Sequence, residues 1–383
     1  MALRSRPALF MTKPHPPLQQ IPREIHCAAD YERLAPHFIA APALAYIAGG
    51  CSDELTLAEN RSAFARTQIL PRLLRDVHNG HTRSDLLGRT SAHPILLAPV
   101  AYQRLVHPLG ELETARAAAA TDTCLVTSTL ASQKLEDVAR QAGAERWFQL
   151  YLQPTQTATV DLIKRAEMAG YTALVVTLDT AIKLPSRRAQ EAGFVLPPEV
   201  VEANLADYPA PPPIVLEPGA SRVFQGAMRE APTWNDLARL LGQTRLPVLV
   251  KGVLHPADAS RLQAMGVAGL IVSNHGGRAL DGVPASLDVL PRIRQAVGAD
   301  FPLLLDSGIR SGNDIFKALA LGADAVLIGR LQVYALAVAG ALGVAHMLKL
   351  LREELEVCMA QAGCATLADI GPDLIYRHEA RSC

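Results

Sequence analysis

Between residues 94 and 363 the chain repeats one pattern eight times, a short apolar run followed by a helical run. The apolar runs fall at 94–100, 124–130, 146–152, 173–179, 247–253, 269–274, 302–306 and 325–329. Val, Ile and Leu occupy successive positions in them, so both faces need cover. That is the mark of parallel strands packed under helices. Helices are predicted at 110–122, 134–143, 155–170, 233–243, 255–266, 286–298, 311–322 and 331–363, the last broken near 340–343. Gly143 and Gly170 suit a helix C-terminus, and Thr233 with Asp236 approximates a capping box. Such alternation makes either an eight-unit barrel or a doubly wound sheet. A doubly wound sheet calls for a G-x-G-x-x-G turn after its first strand. Here that turn reads Pro99-Val100-Ala101-Tyr102-Gln103, without glycine. The expected fold is therefore α/β, a TIM (β/α)8 barrel, and no sequence repeat points to a solenoid.

Several segments stand outside the alternation. Residues 180–232 form a long, proline-rich connection after the fourth strand, expected to lie over the C-terminal mouth as a lid or binding loop. Residues 23–93 form an N-terminal helical extension, with helices at 41–49 and 57–66 and Tyr46 close to a Gly49-Gly50 turn. Residues 1–22 read as a mobile arm, because the apolar run at 8–11 is too short for a secretory signal of about 7–15 apolar residues. Residues 371–383 read as a tail, leaving 23–370 as one (β/α)8 domain. The apolar stretch 335–351 falls short of the ~20 residues of a spanning helix and reads as a packed core helix.

The 383 residues are 49% hydrophobic, ample for a large core, and carry 37 basic against 37 acidic side chains. No global field favours nucleic acid or an anionic membrane. The six cysteines include no C-x-x-C pair. Neither a disulfide scaffold nor a zinc site is indicated, and a reducing compartment, by default the cytoplasm, is expected.

In such a barrel the chemistry gathers at the C-terminal strand ends. Those ends carry Pro99, Val100 and Ala101, then Ser128, Gln149 with Tyr151, Thr177 with Asp179, Lys251, Ser273, Asp306 and Arg330. Polar groups inside apolar strands are costly unless paired, and here they share one end. Gly308, Arg310, Gly329 and Arg330 after the last two strands predict a phosphate site, with backbone N–H groups and guanidinium forks on the anion. After the sixth strand, His275 and Arg278 flank two glycines. An imidazole base beside a carboxylate clamp is what oxidation of a 2-hydroxy acid requires. Lys251 forms a Schiff base or compensates an anion, so an aldolase-type reading stays open at this point.

The stretches 273–281, 306–314 and 318–325 resemble the FMN-dependent 2-hydroxy-acid oxidase and dehydrogenase family, whose members include glycolate oxidase, lactate oxidase and mandelate dehydrogenase. Phe148–Tyr151, Val250–Val253 and Thr56–Arg61 match as well, and the likeness runs from about Tyr31 to Ile370. The resemblance implies FMN as cofactor and His275 as base, with Asp179 orienting it. It implies Arg278 and a second arginine, Arg188 rather than Arg187, on the substrate carboxylate, with Tyr46 and Tyr151 on substrate carboxylate and hydroxyl. It implies Ser128, Gln149, Thr177 and the backbone of 99–101 on the isoalloxazine, Lys251 at its N1–O2 edge, and Ser273 beside it. Asp306 would hold the ribityl chain, and Gly308, Arg310, Gly329 and Arg330 the phosphate. Leu130 stands where glycolate oxidases carry Trp, and Ser307 replaces a glycine common in the family. Leu130, Ala101 and Tyr102 reshape the space over the flavin, so glycolate is not the expected substrate. Oxygen is the favoured electron acceptor over a quinone, and a homotetramer is implied.

Overall fold

The computed structural model describes residues 13–182, 186–209 and 214–376. Eight strands close into a parallel barrel in chain order: Ile95–Leu97, Leu125–Ser128, Arg146–Leu150, Ala173–Thr177, Val248–Val253, Gly269–Val272, Leu303–Leu305 and Ala325–Ile328. The eighth pairs with the first through Val326 on Ile95 and Ile328 on Leu97. Each strand lies inside its predicted run, and all but the fifth end before the run does. Ser128, Gln149, Thr177 and Lys251 stay within their strands, and the residues that follow become the loops of the mouth.

The strands alternate between two cores. Side chains such as Ile95, Leu97, Phe148, Leu174 and Leu270 pack outward under the helices. Leu96, Val126, Trp147, Val175, Leu249, Ile271, Leu304 and Leu327 fill the barrel interior. Period two explains both sets, since successive Cβ atoms point to opposite faces.

Around the barrel stand α4 (Glu111–Ala120), α5 (Leu135–Gln141), α6 (Gln156–Met168), α8 (Trp234–Leu241), α9 (Pro256–Ala264), α10 (Ser286–Val297), α11 (Gly312–Ala320) and α12 (Arg330–Ala362). The N-terminal extension adds α1 (Asp30–Leu34), α2 (Ala41–Ala48) and α3 (Leu55–Arg66), and α7 (Arg187–Glu191) lies in the connection after strand four. The Thr233–Asp236 capping box forms as expected. The break in α12 falls at Ala339 and Gly340, where φ reaches −149° and +56°. By length and composition α12 could cross a membrane, but 78% of its apolar window is buried inside the fold. It is a core helix.

Gly143 follows Ala142, the cap residue of α5, as expected, although Ala142 is already extended at φ −75°, ψ 159°. Two expectations are corrected. The supposed arm divides: residues 1–12 lie outside the described residues, whereas 13–22 lie on the fold, with the Leu18 N–H on the Val338 carbonyl at 2.8 Å. The start of the supposed tail also belongs to the fold, since Ile375–Tyr376 pairs antiparallel with Gln68–Ile69. The rest of the tail, 377–383, lies outside the described residues.

Candidate active site

The interior phase of each strand, carried one step past its last apolar residue, defines the floor of the mouth. Leu96 leads to Ala98, Val126 to Ser128, Trp147 to Gln149 and Val175 to Thr177. Leu249 leads to Lys251, Ile271 to Ser273, Leu304 to Asp306 and Leu327 to Gly329. The inward layer is therefore apolar until its last row, which is polar or small. Above that row lies a cavity of about 410 Å³. Its walls include Pro99, Val100, Ala101 and Ser128 from the first strands, and Tyr46 from α2. Tyr151, Lys251, His275, Arg278, Asp306, Gly308, Arg310, Gly329 and Arg330 also face it. Most of the residues expected at the site thus converge on one space.

His275 sits at φ +58°, in the left-handed region that a side chain other than glycine rarely adopts. Its Nδ1 lies 2.8 Å from Asp179 Oδ1. Burial pushes the Asp179 carboxyl up, but His275 and Lys251 outweigh it and hold the group below its ordinary value of 3.8. An ionised Asp179 only accepts, so Nδ1 carries a proton, and in the neutral imidazole Nε2 is the nitrogen that keeps the lone pair. Lys251 is buried, with its Nζ 3.1 Å from Asp306 Oδ2, 3.9 Å from Asp179 Oδ2 and 2.8 Å from Ser273 Oγ. Burial pulls its ammonium down, yet Asp306 and Asp179 more than offset this and keep it above 10.5. A lysine held protonated is a fixed cation and a poor Schiff-base nucleophile.

Arg278 lies over the Tyr46 ring, 4.8 Å from its centroid, and Tyr46 stacks on Phe194 at 4.4 Å. Its Nη1 donates to the carbonyls of Tyr46, Ile47 and Gly49. The second arginine is a correction. Arg188 is half-exposed and pairs with Glu54, and Arg187 pairs with Asp53. Ser186 N-caps α7, and Ser186, Ala189 and Gln190 present the cavity face at i, i+3 and i+4. Arg187 and Arg188 therefore fall on the other side of a short helix.

The residues at the mouth fit a flavin mononucleotide. Gln149 Nε2 and Thr177 Oγ1 are buried with no hydrogen-bond partner among the described residues, an arrangement that costs about 1–3 kcal/mol per group unless a ligand satisfies it. Asp306 and Lys251 place a charged pair at the cavity edge. At the far end Gly329 has open space where a Cβ would stand. Arg330 is half-buried, donating to the carbonyls of Ile47, Gly276 and Gly49 at 2.9 Å each. Burial and the neighbouring Arg278 push its guanidinium down to about 9. Such a cation favours an anion beside it. Arg310 is gripped by Glu32, at 2.7 and 3.2 Å.

Sequence reasoning missed Glu32, Phe194 and Gln190. All lie outside the barrel strands, where no periodicity assigns a direction. It also missed Asn204 in the connection after strand four. Its Oδ1 accepts from the Leu135 N–H at 2.7 Å, and its Nδ2 donates to the Ser128 and Thr129 carbonyls at 3.2 Å.

A family model described as FMN-dependent dehydrogenase matches residues 35–377. The chain is 64% identical over 359 residues to an L-lactate oxidase of Alicycliphilus denitrificans, covering 94% of this chain and 98% of that one. It is 40% identical to glycolate oxidase 1 of Zea mays, covering 91% and 94%. Among solved structures, mandelate oxidase with (S)-2-phenylpropionate superimposes with a TM-score of 0.82 at 39% identity, over 91% of this chain and 97% of that one. With a closed barrel, a His–Asp pair at its mouth and a mouth that fits a flavin, the chain belongs to the FMN-dependent dehydrogenase family and is an FMN enzyme that oxidises a 2-hydroxy acid.

Proposed function

We propose that the chain oxidises L-lactate, or an L-2-hydroxy acid of similar size, to the 2-keto acid, with oxygen as electron acceptor and hydrogen peroxide as product. The observation that carries this is the His275–Asp179 pair, 2.8 Å apart, opening on the same cavity as Arg278 and Lys251. The identity to the L-lactate oxidase of A. denitrificans and a wall that includes Tyr102, Leu130 and Phe194 support a short side chain.

FMN, when bound, supplies the two-electron acceptor. Ser128, Gln149, Thr177 and the backbone of 99–101 hold its ring, with Ser273 beside it. Lys251 places a cation at the ring edge. Asp306 holds the ribityl chain, and Gly308, Gly329, Arg310 and Arg330 the phosphate. Arg278 clamps the substrate carboxylate, helped by Tyr46, and Tyr151 contacts the hydroxyl. His275 Nε2 takes a substrate proton, and Asp179 stabilises the imidazolium that results. A cytoplasmic homotetramer belongs to the same reading. A mass in solution near four times 41.0 kDa would support the assembly, and a monomer would sink it.

The test is turnover of a panel of L-2-hydroxy acids with peroxide detection. L-Lactate should give the highest kcat/KM, with one peroxide formed per keto acid. Keto acid without peroxide would point to another acceptor such as a quinone.

A further inference from the structure

Ser307 occupies a left-handed backbone position, φ +80°, where glycine would sit without strain. Its side chain has two partners there. Its hydroxyl donates to Asp306 Oδ1 at 2.7 Å and accepts from the Gly276 N–H at 2.9 Å. From Asp306 the contacts continue. Oδ2 pairs with Lys251 Nζ at 3.1 Å, and Nζ donates to Ser273 Oγ at 2.8 Å. Ser273 Oγ in turn accepts from the His275 N–H at 3.0 Å. The path closes into a ring through the strand-six loop. Both peptide N–H groups that flank the His275 Cα end on hydroxyls of that ring, one on Ser273 and one on Ser307. Ser307 is the only link in it that comes from neither the charged pair nor the strand-six loop.

We propose that Ser307 is a positioning residue for the base, its hydroxyl holding the left-handed peptide of His275 and Gly276 against the Asp306–Lys251 pair. This rests on the reading of His275 as the base. The imidazole direction follows from the backbone at 275, because φ +58° is a strained state that persists only when neighbours fix it. Asp179 holds the ring from one side, and Ser307 holds the peptide beneath it.

The experiment compares FMN-loaded S307G and S307A with wild type. Glycine accepts φ +80° freely and alanine does not, yet both lack the hydroxyl. In both variants kcat with L-lactate should fall about tenfold, since small misplacement of a reacting group is costly. KM and FMN content should stay within about twofold, as expected for an interaction made in the transition state. Amide exchange of the peptide containing Gly276, read by mass spectrometry, should quicken in S307G. An S307G enzyme with wild-type kcat would overturn the proposal, whatever S307A does. So would a loss of rate that appears only as raised KM or lost FMN. A wild-type protein inert toward every hydroxy acid would instead sink the base reading, and the positioning role with it.

Discussion

At the scale of single residues, the site is a balance of buried charges. Lys251 and Asp179 are both nearly inaccessible, and each is kept ionised by the other and by its second partner. Asp179→Asn keeps the shape but removes the acceptor that fixes the His275 tautomer. Its kcat/KM should fall by about 10²–10⁴, the worth of a positioned base, measured in a steady-state oxidation assay. The pH dependence has a definite sign. The folded carboxyl lies below its ordinary 3.8. Its contribution to stability is therefore present above the unfolded value and is lost as pH falls through the folded one. The Tm difference between wild type and D179N should be flat above about pH 5 and move against the wild type below it. A difference that changes between pH 5 and 7 would contradict the depressed carboxyl. Lys251→Met removes a cation held above 10.5 and leaves Asp306 and Asp179 buried without it. That variant should lose several kcal/mol, about 3–5 for a broken buried pair, read by denaturant unfolding of the protein.

At the scale of elements, what was legible in the sequence depended on period. The barrel strands were found because parallel strands buried on both faces read as continuous Val, Ile and Leu runs. The mouth end of six strands was legible because a polar side chain stands next in the inward phase, as Lys251 does after Leu249. The connection after strand four was placed over the mouth correctly, since Phe194 and Gln190 line the cavity. Its internal helix was not foreseen, and neither was the direction of Arg188. Five residues of helix are too few for periodicity to show a face. The fixing of that connection by Asn204 was equally hidden, because a single buried amide has no pattern. Asn204→Ala strips one acceptor and two donors from buried backbone groups. It should cost about 1–3 kcal/mol and raise KM more than it lowers kcat, as seen in denaturant melts beside steady-state kinetics. An unchanged stability would show that the contact is incidental.

At the scale of the whole molecule, the barrel supplies stability and its rim supplies chemistry. The apolar interior row is continuous around all eight strands, while the row above it carries groups without a partner among the described residues, Gln149 Nε2 and Thr177 Oγ1 among them. FMN should therefore stabilise the fold by mass action, by roughly 2.7 kcal/mol at a hundredfold excess over Kd, visible as a Tm that climbs with added FMN. The central claim is that one imidazole, one guanidinium and one flavin share this cavity. The most direct test is anaerobic mixing of the yellow protein with L-lactate in a stopped-flow spectrometer, followed by admission of air. The flavin absorbance near 450 nm should bleach at a rate that saturates with substrate and return when oxygen enters, and H275A should stay yellow. A flavin that no L-2-hydroxy acid bleaches, or an H275A protein that bleaches as fast as wild type, would contradict it.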